Sequence, residues 1–165
     1  MKLYHYAPKE NTVLQDGLLS LSHTSRNLGA YAKRAQSNKK QDIICWLEST
    51  FAGRSRAISC LTEPIRWQNN DPVLKKIVDN SALFSFDLID LIQDQLVESI
   101  WLKSKSDAHG QNEKFMAVLP DEIDISHLSW EKVNAEKGLI FGAVRHYFIV
   151  LKHGKIPPKY LHKEN

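Results

Sequence analysis

Residues 3–20 read "LYHYAPKENTVLQDGLLS", and the fold turns on how that stretch is taken. In an extended chain Leu3, His5 and Ala7 share one face, and Tyr4 and Tyr6 share the other. That alternation predicts an N-terminal strand. Pro8 suits the first turn of a short helix through "KENTVLQDG", Gly17 suits its stop, and "LLSLS" reads as extended. The histidine on the inward face has two readings. One is a core-edge residue satisfied by backbone. The other is an imidazole carried by a strand into a ligand cleft.

Working outward, residues 25–51 carry helical spacing. Ser25 is a candidate cap, Leu28, Tyr31 and Ala32 share a face, and a second helix fits residues 40–51 through Ile43, Ile44, Trp46, Leu47 and Phe51. Beyond Gly53 the pattern turns to period two. Strands are expected at 56–62, 83–87, 97–102, 113–119 and 144–151, with brief helices after Pro72 and at "IDLIQD". In residues 56–62, Ala57 and Ser59 point one way and Ile58 and Cys60 the other. Pro157-Pro158 excludes regular helix or a central strand from the C-terminal tail. One strand, then helices, then a run of strands is an α+β order. The expected architecture is one domain over 1–165, a split and mostly antiparallel β-core with flanking helices.

Hydrophobic residues make up 42% of the 165 and charged ones 25%, which is ordinary for a globular chain and excludes fibrous or disordered classes. A net charge of +3 with scattered Lys and Arg permits a phosphate-bearing partner without demanding one. Cys45 and Cys60 fit no metal spacing and sit in apolar runs, so both are expected to be buried and reduced. The seven histidines are dispersed, and HExxH, CxxC, GxGxxG, the phosphate-loop motif and GxSxG are all missing; no metal site is expected. No apolar run approaches the roughly 20 residues that cross a bilayer, and Met1-Lys2 leads into a mixed polar segment. A cytoplasmic protein without membrane contact is therefore expected.

Three islands remain: "LYHYAPKENTVLQDGLLS", "SRAISCLTEP" and "HGQNEKFMAVLPDEIDISHL". In this order they resemble the mono-ADP-ribosyltransferase superfamily, which shares its fold with RNA 2′-phosphotransferases. The resemblance lies in the first-strand Tyr-His, the Leu-Thr-x-Pro that closes a middle strand, and the Gln-x-Glu that opens a late one. It departs at Ala7, where threonine is common, and lacks a Ser-Thr-Ser triplet in the middle strand. It implies an ADP-ribosyltransferase-like fold and NAD as co-substrate, with nucleic acid or protein as acceptor. It also implies roles. Glu113 would stabilise the oxocarbenium character that develops on the nicotinamide ribose, and His5 would hold a ribose hydroxyl or amide. Tyr6 and Tyr31 would offer ring faces, and Ser59 and Thr62 would shape the pocket. Arg54 and Arg56 would meet phosphate or acceptor, and Gln111 would orient the acceptor.

The order of the islands further predicts His5 and Glu113 on neighbouring central strands, opening into one pocket with Ser59 or Thr62. Two other readings stand beside this one. An RNA 2′-phosphotransferase-like enzyme would need arginines around a histidine, with Arg54, Arg56, Arg66 and Arg145-His146 as candidates. A non-catalytic binding module would have no reason to bring His5 and Glu113 together. Trp46, Phe51, Trp67, Trp101 and Trp130 are taken as core rather than interface.

Overall fold

The computed structural model describes residues 1–9, 12–24, 28–65, 72–105, 113–118, 140–141 and 144–164. Its first strand, β1 (Lys2–Pro8), follows the alternation of the sequence. Leu3 and Ala7 are buried in the main core, while Tyr4 and Tyr6 pack in a separate cluster on the opposite face. Pro8 ends the strand instead of opening a helix, and α1 (Val13–Asp16) begins further on. Gly17 does close that helix. Its φ of 87° and ψ of 178° belong to a region that glycine alone occupies without strain. The chain then forms β2 (Leu18–Leu19).

The helical segment contains α2 (Gly29–Ala35) and α3 (Lys40–Thr50). They join through Leu28, Ile43 and Leu47, with Tyr31, Ala32 and Trp46 packed alongside. Residue 25, the candidate cap, lies outside the described residues. A 3-10 turn over Arg54–Arg56 leads into β3 (Ala57–Leu61). Then come α4 (Pro72–Asp79), β4 (Ser81–Asp87), α5 (Leu88–Gln93), β5 (Val97–Lys105) and β6 (Lys114–Val118). The Asp87 carboxylate caps α5 by accepting from Ile89 N at 2.9 Å, and it also binds the Met1 ammonium at 2.6 Å. The chain continues through β7 (Ile140–Phe141), β8 (Val144–Leu151), β9 (Lys155–Ile156) and β10 (His162–Lys163). After Pro157-Pro158 the tail makes a 3-10 turn and reaches the sheet only as an edge strand, as proline requires.

Among the described residues eight strands form one sheet in the order β10-β4-β1-β3-β8-β5-β6, with β7 beside β8, and β2 and β9 form a separate pair. Every described pairing is antiparallel. The class is α+β with a mostly antiparallel sheet. One face of the sheet carries the large core, from Leu3 and Phe86 through Ile58 and Cys60 to Tyr147 and Leu151. Burying each such aliphatic or aromatic side chain contributes about 1.5–3 kcal/mol. The other face is covered in two patches. Phe51 packs on Ala57, Phe148 and Val150 at one side, and Ile77 and Val78 of α4 pack with Tyr4, Tyr6, Leu61 and Ile65 at the other.

Between those patches the sheet opens. β1 pairs with β4 over seven residue pairs, yet its ladder with β3 is the single pair Tyr4 and Leu61. One of the two expected buried cysteines is misplaced: Cys60 is buried, but Cys45 is exposed, because it lies on the outer side of α3 while Ile43 and Leu47 face inward.

Gly17→Ala should lower stability by about 2–3 kcal/mol, because a Cβ there would lie 2.2 Å from the Ile156 carbonyl oxygen and would also be held at positive φ. Urea unfolding should show a lower midpoint at an unchanged slope. An unchanged midpoint would mean that β2 and β9 shift at no cost.

Candidate functional site

His5 stands where β1 leaves β3. Its Nδ1 lies 2.6 Å from the Ser59 carbonyl oxygen, so a side chain spans the place where ladder hydrogen bonds would otherwise continue. A carbonyl only accepts, so in this bond Nδ1 carries the proton. The Ser59 hydroxyl bonds His146 Nε2, and the His146 ring lies 4.6 Å from that of Phe148. Both histidines are thus tied to the same serine.

Two cavities flank this point and share His5 and Ser59. The first, about 260 Å³, adds Tyr31, Arg54, Phe148 and Leu21; the second, about 220 Å³, adds Tyr4, Tyr6, Ile65 and His146. Tyr6 is fixed there by its hydroxyl, which accepts from Ile65 N at 3.0 Å.

Arg54 is delivered by a built turn. The Glu48 carboxylate, near the end of α3, accepts from Gly53 N at 2.8 Å and Ser55 N at 2.9 Å. Gly53 has a φ of 85°, and a Cβ there would come within 2.5 Å of Val150 Cγ1. The turn points Arg54 inward, where it is 3% exposed. Its guanidinium lies among four rings, 4.4 Å from Phe115, 5.1 Å from Phe148, 5.6 Å from Phe51 and 6.0 Å from Trp46. It donates to Thr50 Oγ1 at 3.1 Å and to Glu113 Oε2 at 3.2 Å.

Glu113 gathers three cations. Arg34, on the last turn of α2, donates to the same Oε2 at 3.2 Å, and Lys103 of β5 donates to Oε1 at 2.8 Å. Burial alone would raise the Glu113 pKa. The Lys103 hydrogen bond and the charges of Lys103, Arg54 and Arg34 outweigh it and hold the carboxyl below its ordinary value. Burial lowers the Arg54 pKa, and the Glu113 charge opposes that only in part. His146 is lowered to about 3, first by desolvation and then by the Lys103 charge, so it is neutral.

The expected residues divide by position. His5, Ser59, Tyr6, Tyr31 and Arg54 converge on the opening. Arg56 does not: it pairs with Glu98 at 2.5 Å and donates to the Leu151 carbonyl at 3.2 Å, at the far end of β3. Thr62 follows β3 and lines neither cavity. Gln111, Trp67, Trp130 and Arg66 lie outside the described residues.

The expectation that His5 and Glu113 sit on neighbouring strands needs correcting. β3, β8 and β5 intervene between β1 and β6, and Glu113 lines neither cavity. Arg54 joins the two, lining the first cavity while holding Glu113. Sequence reasoning missed Arg34 and Lys103, and it named His146 only for the RNA 2′-phosphotransferase-like reading. The signal was present for Lys103, which shares a strand face with Trp101 and is therefore aimed inward.

Among the described residues no group of three His, Cys, Asp or Glu side chains is placed to hold a metal ion, and no helix is long and apolar enough to cross a membrane. No protein-family profile, curated protein or solved structure matches the chain.

The His146 shift gives stability a pH dependence of known sign. The folded protein resists protonating a ring whose ordinary pKa is 6.5, so stability is lost as pH falls below 6.5 toward about 3. Each proton so excluded corresponds to a slope of about 1.4 kcal/mol per pH unit. His146→Gln should flatten the fall of melting temperature between about pH 6 and 5, above the range in which carboxylates titrate. An unaltered slope would place the titration elsewhere.

Proposed function

We propose that this protein is an NAD-dependent mono-ADP-ribosyltransferase with an ADP-ribosyltransferase-like fold, acting on a macromolecular acceptor, nucleic acid or protein. The observation that carries the reading is the opening between β1 and β3, where His5, Tyr31, Ser59 and Arg54 meet around one cavity and Arg54 bears the Glu113 carboxylate on its other side. The cavity combines ring faces, an imidazole, a hydroxyl and a guanidinium. That is the donor set for a ligand with a heteroaromatic ring, a diol and phosphates.

In such a transfer the bond between ribose C1′ and the nicotinamide nitrogen breaks, and the bonding pair leaves with nicotinamide. The acceptor nucleophile forms a bond to C1′ and releases its proton. Positive charge develops on the ribose between those events. An ionised carboxylate acts on it electrostatically, and Glu113 is held ionised by its neighbours. His5 and Ser59 would orient the ligand beforehand.

One observation favours a second reading, an RNA 2′-phosphotransferase-like activity. It needs cations around a histidine, and Arg54 and Lys103 both act electrostatically on His146. A 2′-phosphorylated oligonucleotide supplied with NAD tests this reading directly.

NAD consumption and binding test the first. The wild type should bind NAD and turn it over with a suitable acceptor. Glu113→Gln should reduce turnover about a hundredfold, because the lost charge acts mainly in the transition state. His5→Ala should chiefly weaken NAD binding, because that contact precedes the chemistry. A wild type that binds no NAD at about millimolar concentration, a Kd bound of roughly −4 kcal/mol, leaves a binding module as the better account.

A further inference from the structure

Arg34, Arg54 and Lys103 all spend their charge on one carboxylate, and among the described residues no other carboxylate is within ion-pair distance of them. Among the described residues, three cations meet one anion, two positive charges in surplus. The surplus lies in a region where Arg54 is 3% exposed and the Lys103 side chain 10%. A surplus of that kind is unfavourable in a poorly solvated place unless something else compensates it. The four rings around Arg54 contribute through their faces, but a ring face does not neutralise a charge.

The geometry divides the three. Arg34 and Arg54 share Glu113 Oε2, each at 3.2 Å, which is long for a charge-assisted hydrogen bond. Lys103 holds Oε1 at 2.8 Å, within the ordinary range. Oε2 is therefore the loosely held oxygen, and its two arginines repel each other across it. Arg54 also lines the first cavity, and Tyr31, one turn from Arg34 on α2, lines it as well. An anion entering from that cavity meets the Arg54 guanidinium, with Arg34 behind it on the same carboxylate oxygen.

We propose that Arg34 and Arg54 form a binding site for a diphosphate group, that the Glu113 carboxylate occupies it in the ligand-free protein as an internal stand-in, and that a diphosphate displaces Oε2 while Lys103 retains Oε1. A diphosphate offers more charge and more acceptor oxygens than one carboxylate oxygen, so the arginines gain partners by the exchange. Glu113 loses two of its three partners and becomes available to a bound sugar. The proposal deepens the transferase reading by assigning what turns its carboxylate from a structural partner into a reacting one. It stands on the ion cluster, and its test contains no NAD.

The test measures inorganic pyrophosphate binding at constant ionic strength, by calorimetry and by the shift in melting temperature. Glu113→Gln removes the competing anion and should bind pyrophosphate about tenfold or more tightly than the wild type, with a correspondingly larger thermal shift. Arg34→Gln, at a partly exposed position, should weaken binding about tenfold. If Glu113 were instead a plain structural partner, both variants would bind pyrophosphate as the wild type does. Equal affinities in the three proteins, or weaker binding by Glu113→Gln, overturn the proposal. So does a Glu113→Gln protein that stays unfolded in about 10 mM pyrophosphate, since the anion should restore the missing charge. Pyrophosphate binding with the expected order but no NAD turnover would retain the anion site and reject the transferase reading. Turnover without that order would do the reverse.

Discussion

Arg54 must remain charged in a place that water barely reaches, and much of the surrounding structure follows from that requirement. A guanidinium cannot shed its proton, so its desolvation has to be offset by contacts. Thr50 and Glu113 take hydrogen bonds, and four rings lay their faces or edges around it. These partners come from three elements: Trp46 and Thr50 from α3, Phe115 from β6 and Phe148 from β8. The same contacts bind the far half of the sheet to the helical layer. Losing the charge of Glu113 would leave the guanidinium with too little compensation, which is why breaking buried pairs one partner at a time costs about 3–5 kcal/mol in general.

The second constraint is the opening beside β1. A sheet strand whose neighbour departs leaves unpaired backbone groups, and those must find other partners. The His5 ring takes the Ser59 carbonyl, so the departure is closed on one side by an imidazole rather than by backbone. Ser59 then fixes His146 through its hydroxyl. A single serine of β3, through its carbonyl and its hydroxyl, sets the orientation of two rings on the strands that flank it, β1 and β8. The cavities lie where the two patches of cover stop, one centred on Phe51 just after α3 and the other on Ile77 and Val78 of α4.

The strands and their faces were legible in the sequence because each obeys a local rule. The alternation Leu3, His5, Ala7 against Tyr4, Tyr6 reappears as two separate clusters, and Ile58 and Cys60 fall opposite Ala57. His5, Ser59, Tyr31 and Arg54 line one cavity, so their grouping was readable from the first two islands and the helix between them. The order of strands in space was not. Nothing local in residues 113–118 says that β5 and β8 lie between them and β3. The fate of Arg56 was equally hidden: it is two residues from Arg54, and the tight turn that aims Arg54 inward sends Arg56 out to Glu98. Cys45 was misjudged because its apolar neighbours belong to both sides of α3, and only the packing of Ile43 and Leu47 decides which side is inside.

The cluster around Glu113 also bears on how a carboxylate can serve both stability and chemistry. Held by three cations it is ionised, yet its lone pairs are engaged and its field is largely cancelled a few ångströms away. Such a carboxylate would stabilise a developing positive charge poorly. Removing two of the cations from it restores the field at the place where the ribose would react. A ligand that carries both the diphosphate and the sugar would therefore supply the anion that frees the carboxylate and the group on which the freed carboxylate acts. Interactions realised only after that exchange contribute to the transition state more than to the first encounter. A sugar without phosphates would meet a carboxylate still neutralised, so discrimination between the two would arise in the ion cluster and not in the contacts to the sugar itself.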